Sequence, residues 1–155
     1  MSAKPTTSNP QPQTGLPDIP ELVHPVKIYF YDTDAGGVVH NVAYLRIVEQ
    51  ARSELAEYLG WPLSAMTGEG DCPVVGRTEI DYLKPARLGD RLEIHARLTG
   101  VEKVRFHLEF ELRRDPGAVV LMRCRQIMIP VNLATGKPRP LRPDWRDKWG
   151  HLSRS

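Results

Sequence analysis

The hydrophobic period of this chain changes once, and that change constrains the fold more than any other feature. Between residues 41 and 59 the apolar side chains recur every three or four residues, as on one face of a helix: Tyr44, Ile47, Val48, Ala51, Leu55, Tyr58 and Leu59. Beyond residue 73 apolar and polar residues alternate, a period of two that is typical of half-buried strands. The sequence therefore predicts one long helix followed by strands.

The bounds of these elements follow from capping and turn residues. We predict Asn41 as the N-cap of the helix and Gly60, followed by Pro62, as its end. The strands are predicted in "VVGRTEIDYL", "RLEIHARL", "VRFHLEFELRR" and "VVLMRCRQIMIPV", with a tight turn at Pro116-Gly117. Before the helix, the apolar stretch "VKIYFY", from Val26 to Tyr31, predicts a buried strand.

These elements indicate an α+β fold, a five-stranded antiparallel sheet wrapped around one long helix. Since one helix cannot cover every face and edge of such a sheet, we expect pairing with a second copy of the chain. We predict a disordered leader over residues 1–22, the folded domain over 23–135, and a tail over 136–155 with a short helix from Pro143. In that helix Trp145 and Trp149, four residues apart, would dock on the domain.

Composition excludes several classes of protein. A chain of 155 residues is long enough for one domain with a single core, and a net charge of +2 lacks the basic excess of a nucleic-acid binder. No apolar run approaches the roughly 18 residues of a transmembrane helix. The two cysteines, Cys72 and Cys124, lie in different contexts without metal-site spacing. We predict free thiols in the cytoplasm and no bound metal, although a disulfide would form if the fold brought the two together.

The segment "YDTDAGGVVHN", from Tyr31 to Asn41, carries the candidate chemistry. Two acids, Asp32 and Asp34, precede two glycines and the start of the predicted helix. A helix start provides unsatisfied N–H groups and the positive end of the helix dipole. The acids are turn-forming residues in one interpretation and catalytic residues in the other.

Together with "YLKPARLGDRLEI", the stretch from Val26 to Glu54 resembles the hot-dog-fold thioesterases, in particular the 4-hydroxybenzoyl-CoA and Tol-Pal-associated acyl-CoA thioesterases. The resemblance covers about residues 24–132. Its most specific part is the pattern D-x-D-x-x-G-x-V, followed down the helix by aromatic-Leu-Arg and Glu-x-Ala-Arg. The resemblance implies a dimer with a continuous sheet, often assembled into tetramers, and an acyl-CoA substrate hydrolysed without a cofactor.

The resemblance also implies roles for individual residues. Asp34 matches the catalytic acid, acting as nucleophile or general base, while Asp32 is expected to cap the turn by accepting N–H bonds. The backbone N–H of Asn41, next to His40, matches the oxyanion donor. The segment Gly36, Gly37 and Val38 is expected to admit the substrate, because a chain without Cβ atoms allows a close approach.

Other assignments stay open at this stage. Glu49 is either a second catalytic acid or an ion-pair partner of the next helical turn, to Arg52 or Ser53. Cationic residues are candidates for the CoA phosphates, namely Lys103, Arg105 and Arg77, with Lys84 and Arg87 nearby. The pair His40-Asn41 departs from the Tyr-His of the Tol-Pal-associated branch, and Phe30 replaces a tyrosine. The alternatives are therefore an acyl-thioester binding protein, an acyl-carrier-protein thioesterase, or a structural partner in an envelope complex.

Overall fold

The computed structural model describes residues 18–114 and 119–153 of the chain. Its elements are β1 (Glu21–Val26), α1 (Asn41–Tyr58), α2 (Leu63–Glu69), β2 (Asp71–Tyr82), β3 (Leu92–Val101), β4 (Phe106–Arg114), β5 (Val119–Asn132) and α3 (Pro143–Trp149). Short 3-10 turns cover Phe30–Asp32 and Gly150–Leu152. Most of the predicted leader and the predicted Pro116-Gly117 turn lie outside the described residues.

The five strands form one antiparallel sheet in the order β1-β3-β4-β5-β2. Every second residue of β3 from Leu92 to Leu98 and of β4 from Phe106 to Leu112 is buried, as the alternation predicted. The apolar stripe of α1 packs on this face and completes one core. The predicted α+β, hot-dog architecture is confirmed, with β1 and β2 at the edges of the described sheet.

The first strand was predicted in the wrong place. β1 ends at Val26, where the prediction began, and pairs with β3 through residues as polar as Glu21. Pro25 is tolerated because β1 is an edge strand of the described sheet and pairs with β3 on one side, so a residue without an N–H can face away from that ladder. Of the aromatic stretch that follows, only Ile28 is buried, and the chain then enters a 3-10 turn in which Asp32 accepts a hydrogen bond from the N–H of Tyr29 at 2.9 Å.

The start of α1 lies one residue earlier than predicted. His40, not Asn41, is the N-cap, and its Nδ1 accepts from the N–H of Ala43 at 3.2 Å. The helix ends before Gly60, the residue predicted to terminate it, and Gly60 adopts a positive φ of +85°. Tyr58 was predicted on the buried stripe but is 56% exposed, whereas Leu55 and Leu59 at the same end of the helix are buried.

The C-terminal segment packs on the same core as the sheet. Trp145 of α3 is buried against Trp61 and Phe106, with ring centroids 5.5 and 4.9 Å away. Its indole N–H donates to the carbonyl oxygen of Leu59, at the end of α1, at 3.2 Å. The side chain thereby also caps a helical carbonyl that has no partner within α1.

Candidate active site

Asp34 holds the glycine turn that was predicted to admit substrate. Its N–H donates to the carbonyl oxygen of Val38 at 2.9 Å, and its own carbonyl oxygen accepts from Gly37 at 3.0 Å. The carboxylate Oδ1 accepts from the N–H groups of Gly36 at 2.9 Å and Val38 at 3.3 Å. Gly37 requires glycine because its φ is +71°. The turn therefore fixes the Asp34 carboxylate while leaving the side chain exposed.

Asp32 has a different environment from the one predicted. It is 1% exposed and forms a two-pronged ion pair with Arg46 of α1, from Nε to Oδ1 at 3.0 Å and from Nη2 to Oδ2 at 2.7 Å. The expectation that Asp32 caps the glycine turn was wrong, since Asp34 accepts those N–H bonds itself. Asp32 instead anchors the segment to the helix.

The start of α1 directs backbone donors toward solvent beside this turn. The N–H of His40 donates to the carbonyl oxygen of Asp32 at 2.9 Å, and the His40 Nε2–H donates to the carbonyl oxygen of Tyr31 at 3.0 Å. Both ring nitrogens of His40 are thus engaged in positioning the helix. Within the part of the chain that the structure describes, no group accepts from the N–H of Asn41 or of Val42.

A cleft of about 360 Å³ opens next to this helix start. The cleft is lined by Val38, Val39, Asn41, Tyr44, Tyr82, Leu83, Lys84 and Pro85. The loop after β2 is fixed to the glycine turn because the Val39 N–H donates to Ala86 at 2.8 Å and the Leu88 N–H donates to Gly37 at 3.3 Å. The sequence had not indicated that Tyr82, at the end of β2, lines this cleft.

Glu49 lies away from this cleft. It is eight residues from Asn41 along α1, or about 12 Å at 1.5 Å per residue. Its side chain is 71% exposed, 3.7 Å from Arg52, and its carbonyl oxygen accepts from the Ser53 hydroxyl at 3.1 Å. These are the two contacts of the ion-pair interpretation. Glu49 also borders a second cavity of about 300 Å³, here called the apolar cavity.

The apolar cavity lies between α1, α2 and the strands β4 and β5. It is lined by Glu49, Arg52, Ser53, Leu55, Ala56, Leu59, Trp61, Leu63, Met66, Cys72, Pro73, Phe106, Leu108 and Met128. Polar side chains from α1 form one side, and aromatic, aliphatic and sulfur-containing groups form the rest. An apolar group with a polar attachment fits such a lining.

Within a single protomer, the residues predicted to bind the CoA phosphates do not lie close to Asp34. Lys103 lies in the turn after β3, where its carbonyl oxygen accepts from Leu141 at 2.9 Å, near the end of α1. Arg105 is paired with Glu102 at 2.6 Å. Since α1 has 18 residues and is about 27 Å long, this turn and Asp34 flank opposite ends of the helix. Arg77, on the edge strand β2, is paired with Glu79.

A model of the thioesterase-like superfamily matches residues 28–149 of the chain. The protein belongs to this superfamily. The match includes the Asp34 turn, α1, the strands β2 to β5 and α3. The match begins after β1, which is also the strand whose position was predicted wrongly from the sequence.

Curated relatives agree with the family assignment. The acyl-CoA thioester hydrolase YbgC of Escherichia coli is 39% identical over 77 residues, covering 50% of this chain and 58% of that protein. This superfamily member therefore aligns with less than two thirds of that relative's length. The acyl-CoA thioesterase YbgC of Haemophilus influenzae is 30% identical over 83% of this chain and 93% of its own length.

Solved structures share the fold. A 1,4-dihydroxy-2-naphthoyl-CoA thioesterase from Synechocystis superposes with a TM-score of 0.74 at 24% identity, covering 82% of this chain and 93% of that one. A probable thioesterase from Bartonella henselae gives a TM-score of 0.73 at 28% identity, covering 79% and 100%. No helix among the described residues is long and apolar enough to cross a membrane.

Proposed function

We propose that the protein is an acyl-CoA thioesterase that hydrolyses a small, aromatic or medium-length acyl-CoA thioester at the start of α1. The observation that carries the proposal is the pairing of an exposed carboxylate, Asp34, with two backbone donors that have no partner among the described residues, Asn41 and Val42. Relatives named as acyl-CoA thioester hydrolases support the same reaction.

Asp34 is the proposed attacking group, as nucleophile on the thioester carbonyl or as general base on water. Its Oδ1 is held by two N–H bonds, so the carboxylate keeps one orientation without having to be ordered by substrate. The reaction needs no cofactor, because a thioester carbonyl is electrophilic enough for attack by a carboxylate or by the water that it activates.

The backbone N–H of Asn41, with that of Val42, is the proposed oxyanion hole. As negative charge develops on the carbonyl oxygen, these groups stabilise it together with the positive end of the α1 dipole. Val38 and the two glycines would then lie against the thioester. His40 acts by positioning, since both of its ring nitrogens hold the helix start in place.

A second copy of the chain is part of the proposal. β2 has 12 residues, lies at the sheet edge and exposes most of its side chains, so its free backbone groups can pair with another strand. Pairing of β2 with its symmetry mate would build a homodimer and could bring Lys103, Arg105, Arg77 or Glu49 to a site from the opposite protomer. Tetramers follow if two dimers pack together. Two free cysteines are consistent with the cytoplasm.

The alternative is an acyl-thioester binding protein or a thioesterase for acyl-carrier-protein thioesters. The engagement of His40 as a helix cap favours it, because no histidine in the described turn is then free to transfer a proton. Binding of CoA esters without turnover would support the first form. Turnover of carrier-protein thioesters alone would support the second.

Thiol release from a panel of CoA thioesters, from short aliphatic through benzoyl to long-chain, tests the proposal. We expect Asp34→Asn to lower kcat at least about 100-fold. The matched control is Asp147→Asn. Asp147 is an exposed aspartate on α3, which packs at the opposite end of α1 from Asp34, so this change should leave kcat unchanged. Unchanged hydrolysis by Asp34→Asn, with both variants folded, would overturn the assignment. Size-exclusion chromatography with light scattering tests the dimer.

A further inference from the structure

Lys84 is the one charged residue, in the part of the chain that the structure describes, that lines the cleft at the start of α1. The other lining residues are apolar, aromatic or, at Asn41, a neutral amide. Lys84 is exposed, and no acceptor within residues 18–114 and 119–153 contacts its ammonium group. Most exposed lysines are simply solvated. Lys84 differs from them because it lies beside the proposed oxyanion donor.

Backbone hydrogen bonds hold Lys84 close to the start of α1. Its N–H donates to the carbonyl oxygen of Leu121 at 3.1 Å. Two residues further along, the Ala86 N–H donates to the Tyr44 hydroxyl at 3.2 Å, and the Ala86 carbonyl oxygen accepts from the Val39 N–H at 2.8 Å. Lys84 can lie no more than about 7 Å from Ala86 along the chain. The loop is therefore bonded both to α1 and to the residues just before it.

The ammonium group of Lys84 is thus within reach of the thioester site. Lys84 and Asn41 line one cleft of about 360 Å³, the volume of a cube about 7 Å on a side. The lysine stem itself spans roughly 6 Å from Cα to Nζ, at about 1.25 Å per extended bond. A thioester carbonyl held at the Asn41 N–H therefore places its next few bonds close to Lys84.

The CoA side of a thioester offers no anion at this distance. From the sulfur atom the pantetheine arm continues through two neutral amides, and the first phosphate is about a dozen bonds away, roughly 15 Å in an extended arm. The acyl side has no such restriction, since a substituent can lie a few bonds from the carbonyl. An anion that meets Lys84 in the cleft would therefore belong to the acyl group.

We infer that the cleft at the start of α1 receives the acyl group and that Lys84 selects acyl groups that end in a carboxylate. A six-carbon acyl chain spans roughly 6 Å, so its terminal carboxylate can meet the ammonium group while the thioester carbonyl stays at the Asn41 N–H. Apolar and aromatic residues such as Tyr82, which is 50% exposed, would contact the methylenes or ring between them. This inference rests on the proposed thioesterase function and names its substrate class.

An anionic acyl group needs a cation here because of Asp34. The attacking group is itself a carboxylate, so a second carboxylate at the same end of α1 is repelled unless a positive charge lies beside it. The cleft is open to water, which places the contact between an exposed ion pair and a charged hydrogen bond. We expect a preference of roughly 3- to 10-fold for the carboxylate.

Calorimetric titration with matched acyl pairs tests this. The pairs are adipoyl-CoA with hexanoyl-CoA and 4-carboxybenzoyl-CoA with 4-methylbenzoyl-CoA, bound to protein carrying Asp34→Asn so that no ligand is consumed. We expect the carboxylate member of at least one pair to bind about 3- to 10-fold more tightly, and Lys84→Met to remove that ratio. The matched control Lys148→Met, an exposed lysine on α3, should keep it. The ratio should also shrink at about 1 M salt, where the Debye length is about 3 Å.

A charge reversal sharpens the test. Lys84→Glu should favour 6-aminohexanoyl-CoA, which carries an ammonium group, over adipoyl-CoA. Equal affinities within both pairs, a ratio that survives Lys84→Met, or no binding at all would overturn the inference. Equal weakening of both members by Lys84→Met would also overturn it, because that is the result of a contact with CoA.

The outcomes separate this inference from the proposed function. Hydrolysis by the wild type without a ratio that depends on Lys84 would contradict the Lys84 role alone. The ratio without hydrolysis by the wild type would contradict the thioesterase proposal alone. Folding of the variants is not in question, since the Lys84 side chain is exposed and makes no bond within the described residues.

Discussion

The ion pair between Asp32 and Arg46 should contribute unequally to stability when either partner is removed. Asp32 is almost fully buried, while the Arg46 side chain is 38% exposed. Removal of Arg46 leaves a buried carboxylate whose side-chain oxygens retain one donor in the described chain, the N–H of Tyr29. Removal of the negative charge by Asp32→Asn leaves a guanidinium that can turn toward water. Arg46 is therefore the more costly partner to lose.

The magnitudes follow from these exposures. Breaking a buried ion pair typically lowers the free energy of unfolding by about 3–5 kcal/mol. Because Arg46 is partly exposed, we expect the loss for Arg46→Met to lie at the lower end, about 3 kcal/mol. Asp32→Asn keeps an acceptor for Tyr29 and should cost about 1–2 kcal/mol. The double variant, with neither charge, should cost about 2 kcal/mol. The coupling free energy is then about 2–3 kcal/mol.

Urea unfolding followed by circular dichroism, at one protomer concentration for all four proteins, measures these values. At a total stability of about 5–15 kcal/mol, a loss near 3 kcal/mol is readily resolved. The reasoning is refuted if Arg46→Met destabilises no more than Asp32→Asn, or if the double variant costs the sum of the single ones.

Three further results are expected. Gly37→Ala, at φ +71°, should destabilise the protein by about 1 kcal/mol and lower activity, whereas Gly68→Ala on α2, where a Cβ meets open space, should be neutral or stabilising in thermal melts. Burial raises the pKa of the Cys124 thiol to about 11, so Ellman's reagent at pH 8 should label Cys124 only after unfolding in urea. Burial works to raise the pKa of Glu111, but hydrogen bonds such as that from Arg113 outweigh it and hold the pKa below its usual range. The charged form of Glu111 therefore stabilises the protein above the unfolded-state pKa, and this stabilisation is lost as the pH falls through the folded-state pKa. In urea titrations, Glu111→Gln should lower the free energy of unfolding by about 1 kcal/mol at pH 7, and the difference from wild type should vanish in acid.

Most of the fold was predictable because its signals are periodic over many residues. Buried positions in α1 such as Ile47 and Leu55, and alternating ones in β4 such as Phe110, obey the period of a single element. Solved structures with the same fold confirm the predicted architecture. β1 has no comparable signal, since its burial alternates only between exposed and half-buried residues. The apolar "VKIYFY" beside it was the stronger local pattern, but after Val26 none of its residues pairs with a strand among the described residues.

The helix cap shows a finer limit. Asn41 is the better N-cap by residue preference, yet His40 takes the position because its second ring nitrogen also reaches the carbonyl oxygen of Tyr31. That second bond joins residues nine positions apart, and no capping preference includes it. A one-residue shift then changes which N–H groups stay free, so the donors at Asn41 and Val42 depend on a tertiary contact.

The roles of the two aspartates depend on burial, which local sequence does not determine. Both Asp32 and Asp34 precede glycines, and turn chemistry applies equally to either. The difference arises from Arg46, fourteen residues along the chain from Asp32, which draws that carboxylate into the core and occupies both of its oxygens. A carboxylate in that state cannot approach a thioester. Asp34 remains exposed, with Oδ1 held by the turn and Oδ2 accepting from no group in residues 18–114 and 119–153. The burial of one aspartate therefore supports the proposed catalytic role of the other, independently of any resemblance.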